Sequence, residues 1–305
     1  MKVGIITFYH KSCNYGGTLQ AYALSKAINK NSDSQQILYK SIQQIKCKSN
    51  NLESIAKRLF NTILRRKRNV ALKNRQLIFE IFRKIVPRSK MEYDIQTISK
   101  SLYDYDAFIT GSDQVWNVEY YDEVYRLEFV PSTKYKFSYA AGISSGELTE
   151  EQKAVFKKAL STFDAISVRE KSAVDVFQPL TDKKVEWVLD PTLLLSREEW
   201  DEICSDRNIS EKYVFCYFLG ELSLKNKKII EFAHSKGLKV VSMPYLAWTS
   251  KKDSDFGDYK IYDATPPDFI SLIKHAEYVF TDSFHATVFS HIYHKNFFVF
   301  NRAGL

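Results

Sequence analysis

The sequence predicts an α/β protein built from two Rossmann-like, doubly wound domains that face each other across a cleft. Short apolar runs rich in β-branched and aromatic residues alternate with segments of helical period in both halves of the chain. Polar loops follow several predicted strands, as they do at the ligand-binding edge of open parallel sheets. A chain of 305 residues is long enough for two cores. We expect the domains at residues 1–195 and 196–305, because Pro191 interrupts regular structure just before that boundary.

In the first domain, strands are predicted at residues 2–8, 36–40, 106–110, 136–141 and 165–168. Helices are predicted at 17–28 and 149–161, and a third helix begins at Arg169. Thr149 and Gln152 have the spacing of a capping box at the start of the second helix. Gly16 and Gly17 allow a close approach of the backbone to a ligand, and a turn that needs positive φ is the alternative explanation.

In the second domain, strands are predicted at 213–219, 238–243, 278–280 and 297–300, and helices at 223–236, 266–275 and 284–293. Thr281, Asp282 and Ser283 supply turn and N-cap side chains between a strand and a helix. His285 falls in the first turn of that helix, where it would hold an anion or move a proton, and a core or capping histidine is the alternative. A further helix is expected after the last strand, so we expect a truncated C-terminus.

The composition indicates a packed globular protein, because 45% of the residues are hydrophobic and 14% are aromatic. The apolar run at the start is too short for a signal peptide, and no run reaches the roughly 18 apolar residues that span a bilayer. The four cysteines form no CxxC pair and have no histidine at metal-ligand spacing. We therefore expect a cytoplasmic protein with reduced thiols, no metal site and no cofactor.

The net charge of +8 is concentrated in one stretch of the chain. Residues 57–90 contain twelve Lys or Arg and one acid, Glu80. Apolar residues recur there at helical spacing, which predicts a basic helical insert at about 50–90. Such a helix can lie on an anionic membrane surface, or it can be a solvated insert that buries one face, and both readings stay open. Nucleic acid is not expected as a partner, because aromatic interleaving and zinc-finger or RNP motifs are missing from the sequence.

Five motifs follow one another along the chain. They are Asn14-Tyr15-Gly16-Gly17, Gly111-Ser112-Asp113-Gln114-Val115-Trp116-Asn117, Ser167-Val168-Arg169-Glu170, Asp190-Pro191-Thr192 and Thr281-Asp282-Ser283-Phe284-His285. With these motifs, the chain resembles the polysaccharide pyruvyl transferase family over nearly its whole length. The family usually has glycine after the histidine. This chain has Ala286 there, a small change that we expect to preserve function.

The resemblance implies a GT-B-like fold and the transfer of pyruvate from phosphoenolpyruvate. The acceptor would be a sugar of a bacterial cell-surface polysaccharide (an exopolysaccharide) or of its lipid-linked precursor. The product would be a cyclic pyruvate ketal, with phosphate released. The expected partners are therefore phosphoenolpyruvate as donor substrate and a glycan or lipid-linked sugar as acceptor. A peripheral contact of residues 57–90 with the inner face of the membrane is also expected.

The chemistry of the donor assigns roles to the motif residues. Phosphoenolpyruvate carries a phosphate and a carboxylate, so its site needs cationic donors and helix-start amides. The donor-binding residues are predicted to be Arg169, Ser283, His285 and Ala286, and the catalytic residues His285 and Arg169. His285 would protonate the methylene carbon or hold the phosphate as an imidazolium. For Arg169, a surface salt bridge with Glu170 or Asp175 is the alternative.

The acceptor-binding residues are predicted to be Asn14, Tyr15, Asp113, Gln114 and Trp116. Asp113 would accept a hydroxyl proton or orient the acceptor, and Gln114 and Trp116 would contact a sugar ring. A structural loop held by an Asx turn is the alternative for this motif.

Two other classes of protein stay open. A GT-B-type glycosyltransferase would use a nucleotide sugar, and that ligand would protect it from thermal unfolding in place of phosphoenolpyruvate. A non-catalytic protein that binds membranes or nucleic acid through residues 57–90 would lose function when that segment is neutralised, whereas His285→Ala would leave it functional.

Overall fold

A computed structural model describes residues 1–41, 66–118, 122–143, 147–207, 209–220, 226–244 and 256–301. The chain divides into two compact units, the first formed by Met1–Asn61 and Arg83–Leu194 and the second by Thr62–Phe82 and Leu195–Leu305. Residues 50–65, the first part of the predicted basic insert, lie outside the described residues.

The α-helices of the described residues are α1 (Tyr15–Ile28), α2 (Arg66–Arg83), α3 (Glu150–Leu160), α4 (Lys171–Phe177), α5 (Arg197–Asp201), α6 (Asn226–Ser235), α7 (Pro266–Lys274) and α8 (Phe284–Ile292). Short 3₁₀ turns occur at Ile98–Tyr103, Glu123–Arg126, Gln178–Leu180 and Pro191–Leu193.

The first unit is built on a parallel five-stranded sheet. Its strands are β1 (Lys2–Ile6), β2 (Asp33–Tyr39), β3 (Arg88–Tyr93), β4 (Ala107–Thr110) and β5 (Tyr135–Ser138), in the order β3-β2-β1-β4-β5. Two more strands, β6 (Ile166–Val168) and β7 (Val185–Trp187), pair with each other in parallel. Single parallel bridges, Phe137 to Ala165 and Ala141 to Val168, continue the sheet from β5 to β6.

The second unit contains another parallel five-stranded sheet. Its strands are β8 (Tyr213–Tyr217), β9 (Lys239–Ser242), β10 (Tyr259–Lys260), β11 (Tyr278–Thr281) and β12 (Asn296–Val299), in the order β10-β9-β8-β11-β12. In both sheets the first strand lies at the centre and the chain then builds outwards in both directions. The strand order therefore reverses between β1 and β4 and between β8 and β11, and ligands of open α/β sheets bind at the carboxyl ends of such strands.

Local capping starts several helices where the sequence predicted them. Thr149 and Gln152 form the predicted capping box of α3, and Thr265 and Asp268 form another at α7. The side chain of Ser283 accepts a hydrogen bond from the amide of Ala286 and caps α8, as predicted.

Two expectations about the basic segment are wrong. A helical insert was expected to reach about residue 90, but the strand β3 follows α2. The polar sequence of β3, Arg-Ser-Lys-Met-Glu-Tyr, has no clear strand pattern, and the strand lies at the edge of the sheet. Most of α2 also belongs to the second unit and not to the first. The buried Arg75 side chain donates to the carbonyl oxygen of Tyr262 at 3.4 Å, which attaches the helix to that unit.

The core of the first unit contains a cluster of aromatic rings around Trp116. Its indole packs edge-on against Phe156, Phe163 and Phe177, with ring centroids 5.0–6.0 Å apart. Edge-to-face pairs of this kind add to the stabilisation that comes from burying apolar area. None of the described helices has an apolar stretch long enough to cross a bilayer.

Candidate functional site

The loops at the carboxyl edge of the first sheet are joined by hydrogen bonds. After β1, the Thr7 hydroxyl donates to the carbonyl oxygen of Ser112 in the loop after β4, at 2.9 Å. The Ser112 hydroxyl contacts both the carbonyl oxygen of Ala140, after β5, and Oδ2 of Asp190, after β7, each at 3.1 Å. Buried hydrogen bonds thus connect four loops that are far apart in the sequence.

Arg169 directly follows β6, beside these loops, and is surrounded by carboxyl groups. Its guanidinium is 2.9 Å from Oε1 of Glu170, 3.4 Å from Oδ2 of Asp190 and 3.9 Å from Oδ1 of Asp113. Burial opposes the charge of the guanidinium, but the three carboxylates outweigh it and raise the pKa of Arg169. The cluster therefore keeps one permanent cation among three acidic side chains.

The four side chains of this cluster differ in how firmly they are held. Asp190 is fully buried, and its Oδ1 accepts from both the amide and the hydroxyl of Thr192. Asp113 has a positive φ of 65° and makes the longest of the three contacts with Arg169. Glu170 is partly exposed. Asp190 is thus the fixed member of the cluster, and Asp113 is the one most readily displaced.

Two glycines, Gly142 and Gly17, lie so close to the cluster that a side chain at either position would crowd it. A Cβ added to Gly142 would lie 2.9 Å from Nη2 of Arg169 and 2.9 Å from the carbonyl oxygen of Asp113. A Cβ on Gly17, in the first turn of α1, would lie 3.0 Å from Oδ2 of Asp113. The pair Gly16 and Gly17, noted in the sequence for close backbone approach, therefore brings the start of α1 next to the Asp113 carboxylate.

The predicted acceptor-binding residues occupy different environments. Asn14 is exposed and caps α1 by accepting from the amide of Gly17, while Tyr15 is buried. Asp113 and Gln114 are half-buried at the carboxyl edge. Trp116 is buried among the core rings, and its Nε1 donates to the carbonyl oxygen of Tyr125. Its ring offers no surface to a sugar, so we assign Trp116 to the core in place of acceptor binding.

Another tryptophan, which the sequence did not single out, does reach the surface beside the cluster. Trp187 at the end of β7 is 58% exposed, and its indole Nε1 donates to the carbonyl oxygen of Arg169 at 3.0 Å. The Lys171 ammonium lies 6.0 Å from the centroid of the ring. A hydrogen bond at one edge thus fixes an exposed aromatic ring next to the Arg169 cluster.

A histidine–carboxylate pair in the first unit was also missed. Nε2 of His10, in the loop after β1, is 2.7 Å from Oε2 of Glu92 in β3, and the Lys11 ammonium contacts the same oxygen. Burial lowers the pKa of His10 more than its contact with Glu92 raises it. Because β3 was not predicted, no pattern in the sequence placed Glu92 near His10.

The carboxyl edge of the second sheet has a different set of groups. Asp282, after β11, accepts from the backbone amides of Leu219 and Gly220, after β8, at 2.7 and 2.9 Å. This carboxylate closes the loop at the point where the strand order reverses. The Thr281 hydroxyl donates to the carbonyl oxygen of Tyr217 and accepts from the amide of Ser283, which fixes the turn into α8.

His285 and its neighbours lie in the first turn of α8. His285 is buried, and the exposed ring of Phe284 meets it edge-on with centroids 5.1 Å apart. Ala286 is fully buried. The predicted donor-binding residues Ser283, His285 and Ala286 are thus together at a helix N-terminus, where the helix dipole favours negative charge. Among the described residues, no group of three or more His, Cys, Asp or Glu side chains is arranged to hold a metal ion.

Solved structures with the same architecture place the fold in the GT-B-like class, with two Rossmann-like units. The UDP-GlcNAc 2-epimerase from Methanocaldococcus jannaschii is 15% identical with a TM-score of 0.54, over 97% of this chain and 83% of that chain. The UDP-GlcNAc 2-epimerase from Neisseria meningitidis bound to UDP-GlcNAc is 12% identical with a TM-score of 0.53, over 93% of this chain and 78% of that chain. At these identities the likeness shows the fold alone.

The family is shown by the sequence itself. Residues 14–304 match the model of the family described as polysaccharide pyruvyl transferase. The chain belongs to this family, which confirms the resemblance seen in its five motifs. No curated protein matches the chain at a significant level.

Proposed function

We propose that the protein transfers pyruvate from phosphoenolpyruvate to a sugar of a cell-surface polysaccharide or of its lipid-linked precursor. The observation that supports this most strongly is the family match across residues 14–304, which includes His285 in the first turn of α8. Phosphoenolpyruvate is a cytoplasmic metabolite, so we assign the protein to the cytoplasm. A peripheral contact of residues 57–90 with the inner face of the membrane is proposed separately, because it does not depend on the reaction.

The donor phosphate is assigned to the start of α8. The contacts proposed for it there are the backbone amides of the helix N-terminus and the side chain of His285. Ser283 and the small Ala286 shape this turn. His285 either holds the phosphate or delivers a proton to the methylene carbon.

The donor carboxylate is assigned to Arg169, as a bidentate partner of its guanidinium. Because three carboxyl groups already surround this arginine, an incoming carboxylate has to replace one of them. Asp113 makes the longest contact, at 3.9 Å, and is the natural one to leave. Donor binding would then release Asp113 to accept a proton from an acceptor hydroxyl.

The acceptor sugar is assigned to the surface around Asp113. Asn14 and Gln114 supply amide donors and acceptors there, and Tyr15 supports the loop from within. Trp187 takes the aromatic role that had been expected of Trp116, because its ring is exposed and held next to Arg169. Amphipathic rings of this kind contribute binding area at little entropic cost.

The reaction balances with these groups. A proton is added to the methylene carbon of phosphoenolpyruvate, which leaves an oxocarbenium-like centre. One sugar hydroxyl attacks the oxocarbenium carbon, which carries the phosphate oxygen, and loses its proton. A second hydroxyl then attacks the same carbon and displaces phosphate. One of the two hydroxyl protons replaces the proton given to the methylene carbon, and the other leaves with the phosphate. The product is the cyclic ketal, and no oxidant or reductant is needed.

The test is phosphate release from phosphoenolpyruvate in the presence of a panel of glycosyl acceptors. We expect acceptor-dependent release by the wild type and strong losses in His285→Ala and Arg169→Ala. Equal rates in all three proteins would contradict the site assignment. Absence of phosphate release with every acceptor would contradict the assignment of phosphoenolpyruvate as the donor.

A nucleotide-sugar transferase of the GT-B type is the second candidate, since the fold is shared with enzymes that bind UDP-GlcNAc. Thermal unfolding separates the two, because a ligand that binds only the native state raises the midpoint. Protection by phosphoenolpyruvate supports pyruvyl transfer, whereas protection by a nucleotide sugar alone supports glycosyl transfer. If neither ligand raises the unfolding midpoint and the His285→Ala variant still binds membranes or nucleic acid, a non-catalytic binding protein becomes the better explanation.

A further inference from the structure

The helix α2 has an apolar face that points away from the protein. Val70, Leu77 and Ile81 are 51%, 62% and 57% exposed. Their spacing of seven and four residues places all three on one stripe of the helix. Monomeric surfaces normally carry isolated apolar residues, so three of them aligned along one exposed helix face indicate an interaction surface.

The opposite face of α2 holds the helix against the second unit. Phe79 and Phe82 are buried, and the buried Arg75 donates to the carbonyl oxygen of Tyr262 at 3.4 Å. Phe79 lies two residues from both Leu77 and Ile81, which puts it on the far side of the helix. The helix therefore already has a packed inner face, and the stripe is a second apolar face.

The charge of α2 indicates what this face binds. Its sequence contains six Lys or Arg and one acid, the half-buried Glu80. Arg75 and Arg83 are buried and bond to backbone carbonyl oxygens, so among the described side chains of α2 Lys73 is the base on the outward face. Lys73 is exposed and stands three residues from Val70 and four from Leu77, so its ammonium borders the stripe. An apolar stripe on a strongly basic helix is the pattern of a helix that lies in the interface of an anionic bilayer.

We propose that the outward face of α2, formed by Val70, Lys73, Leu77 and Ile81, docks on an anionic lipid surface. The apolar side chains enter the boundary between headgroups and acyl chains, and Lys73 contacts the lipid phosphates. Docking itself is independent of the reaction. Its role in bringing the enzyme to a lipid-linked acceptor rests on the proposed function.

The test is co-sedimentation of the full chain with vesicles. One set contains phosphatidylcholine alone, and the other includes about one-third phosphatidylglycerol. We expect binding to the anionic vesicles that weakens as salt is raised. The double variant Leu77→Asp/Ile81→Asp should lower the partition coefficient at least about tenfold, because two apolar contacts are lost and two negative charges are gained. Lys73→Glu should lower binding to the anionic vesicles only.

Tyr103→Asp is the matched control, because Tyr103 is 92% exposed and lies on a different element. It should bind vesicles like the wild type. Unchanged binding by the Leu77→Asp/Ile81→Asp variant would overturn the proposal. A large fall in the thermal midpoint of this variant would also overturn it, because another part of the chain would then cover the stripe. Dissociation of oligomers in light scattering would overturn it as well, because a second copy would then cover the stripe. Stripe-dependent binding to an oligonucleotide without binding to vesicles would also overturn it.

Phosphate release separates this proposal from the proposed function. With a water-soluble acceptor, the Leu77→Asp/Ile81→Asp variant should keep the wild-type rate. Vesicle binding without any phosphate release by the wild type would contradict pyruvyl transfer and leave lipid docking intact. Phosphate release by the wild type, together with vesicle binding that does not depend on the stripe, would support pyruvyl transfer and contradict lipid docking by α2.

Discussion

The two sheets have the same strand order, yet their carboxyl edges present opposite chemistry. In the first unit, Asp113, Glu170 and Asp190 surround the guanidinium of Arg169. In the second unit, the carboxylate of Asp282 accepts hydrogen bonds from two backbone amides. His285 lies at the start of α8, and residues 281–292 contain no Lys or Arg. The same sheet topology therefore presents different side chains at its carboxyl edge, because the loops differ in sequence.

This contrast suits a reaction that joins an anion to a neutral sugar. A helix N-terminus with a histidine favours phosphate. A surface rich in carboxyl groups favours hydroxyls, because carboxylates accept hydrogen bonds and repel other anions. In the proposed function, Arg169 would exchange one of these protein carboxylates for the donor carboxylate. Four variants test this difference between the two edges, and they follow in order of decreasing expected effect.

His285→Ala tests the second edge and should have the largest effect. Loss of a positioned acid or phosphate-binding imidazole should lower phosphate release by about 10²- to 10⁴-fold. His291→Ala is the matched control, because His291 is exposed on the same helix. Initial rates with saturating donor provide the measurement. A comparable loss in both variants would mean that the helix, and not His285, carries the effect.

Asp190→Ala tests the first edge. Removing this buried carboxylate takes away one of the three carboxyl partners of Arg169 and leaves Ser112 and Thr192 without this acceptor, which should lower the free energy of unfolding by about 3 kcal/mol. Urea unfolding followed by circular dichroism measures the change. Glu186→Ala removes an exposed ion pair with Lys184 and should change it by about 0.5 kcal/mol or less. Similar small losses in both variants would show that the cluster is not held by Asp190.

Asp282→Ala tests whether the carboxylate of the second edge is structural. It leaves the amides of Leu219 and Gly220 without their acceptor and should cost about 1–3 kcal/mol of stability. Asp263→Ala, an exposed carboxylate in the same unit, is the control in the same unfolding assay. An unchanged stability with abolished phosphate release would instead make Asp282 a direct participant in the chemistry.

Trp187→Ala tests the acceptor surface and should have the smallest effect. Loss of the exposed ring should raise the KM for the sugar acceptor by about two- to tenfold and leave kcat and the KM for phosphoenolpyruvate unchanged. Trp187→Phe should retain most of the acceptor affinity. An increase in the KM for phosphoenolpyruvate instead would place the donor, and not the sugar, beside the ring.

Much of the fold follows from local patterns. The alternation of strands and helices and the caps at Thr149 and Ser283 involve residues within a few positions of one another, and these predictions are confirmed. The strand β3 was missed because its polar sequence lacks alternation, and its place at the sheet edge depends on pairing with β2. Pairing between distant segments is not readable from a single short window.

The candidate site was predictable only in part. The motifs indicated Asp113, Arg169 and His285, and the structure brings Asp113 and Arg169 within 3.9 Å of each other. The motifs did not show that Trp116 packs in the core while Trp187 reaches the surface. An aromatic residue in a polar loop can face either way, and the choice depends on the rings of Phe156, Phe163 and Phe177 that surround it.

The two-unit α/β architecture, the family and the position of His285 at a helix start were readable from the sequence. These depend on periodicity, capping and ordered motifs, all of which are local. The enclosure of Arg169 by three carboxyl groups and the packing of α2 with the second unit became visible in the folded chain. Contacts such as Ser112 with Asp190, 78 residues apart, create that environment, and electrostatics depends on distance in space and not along the chain.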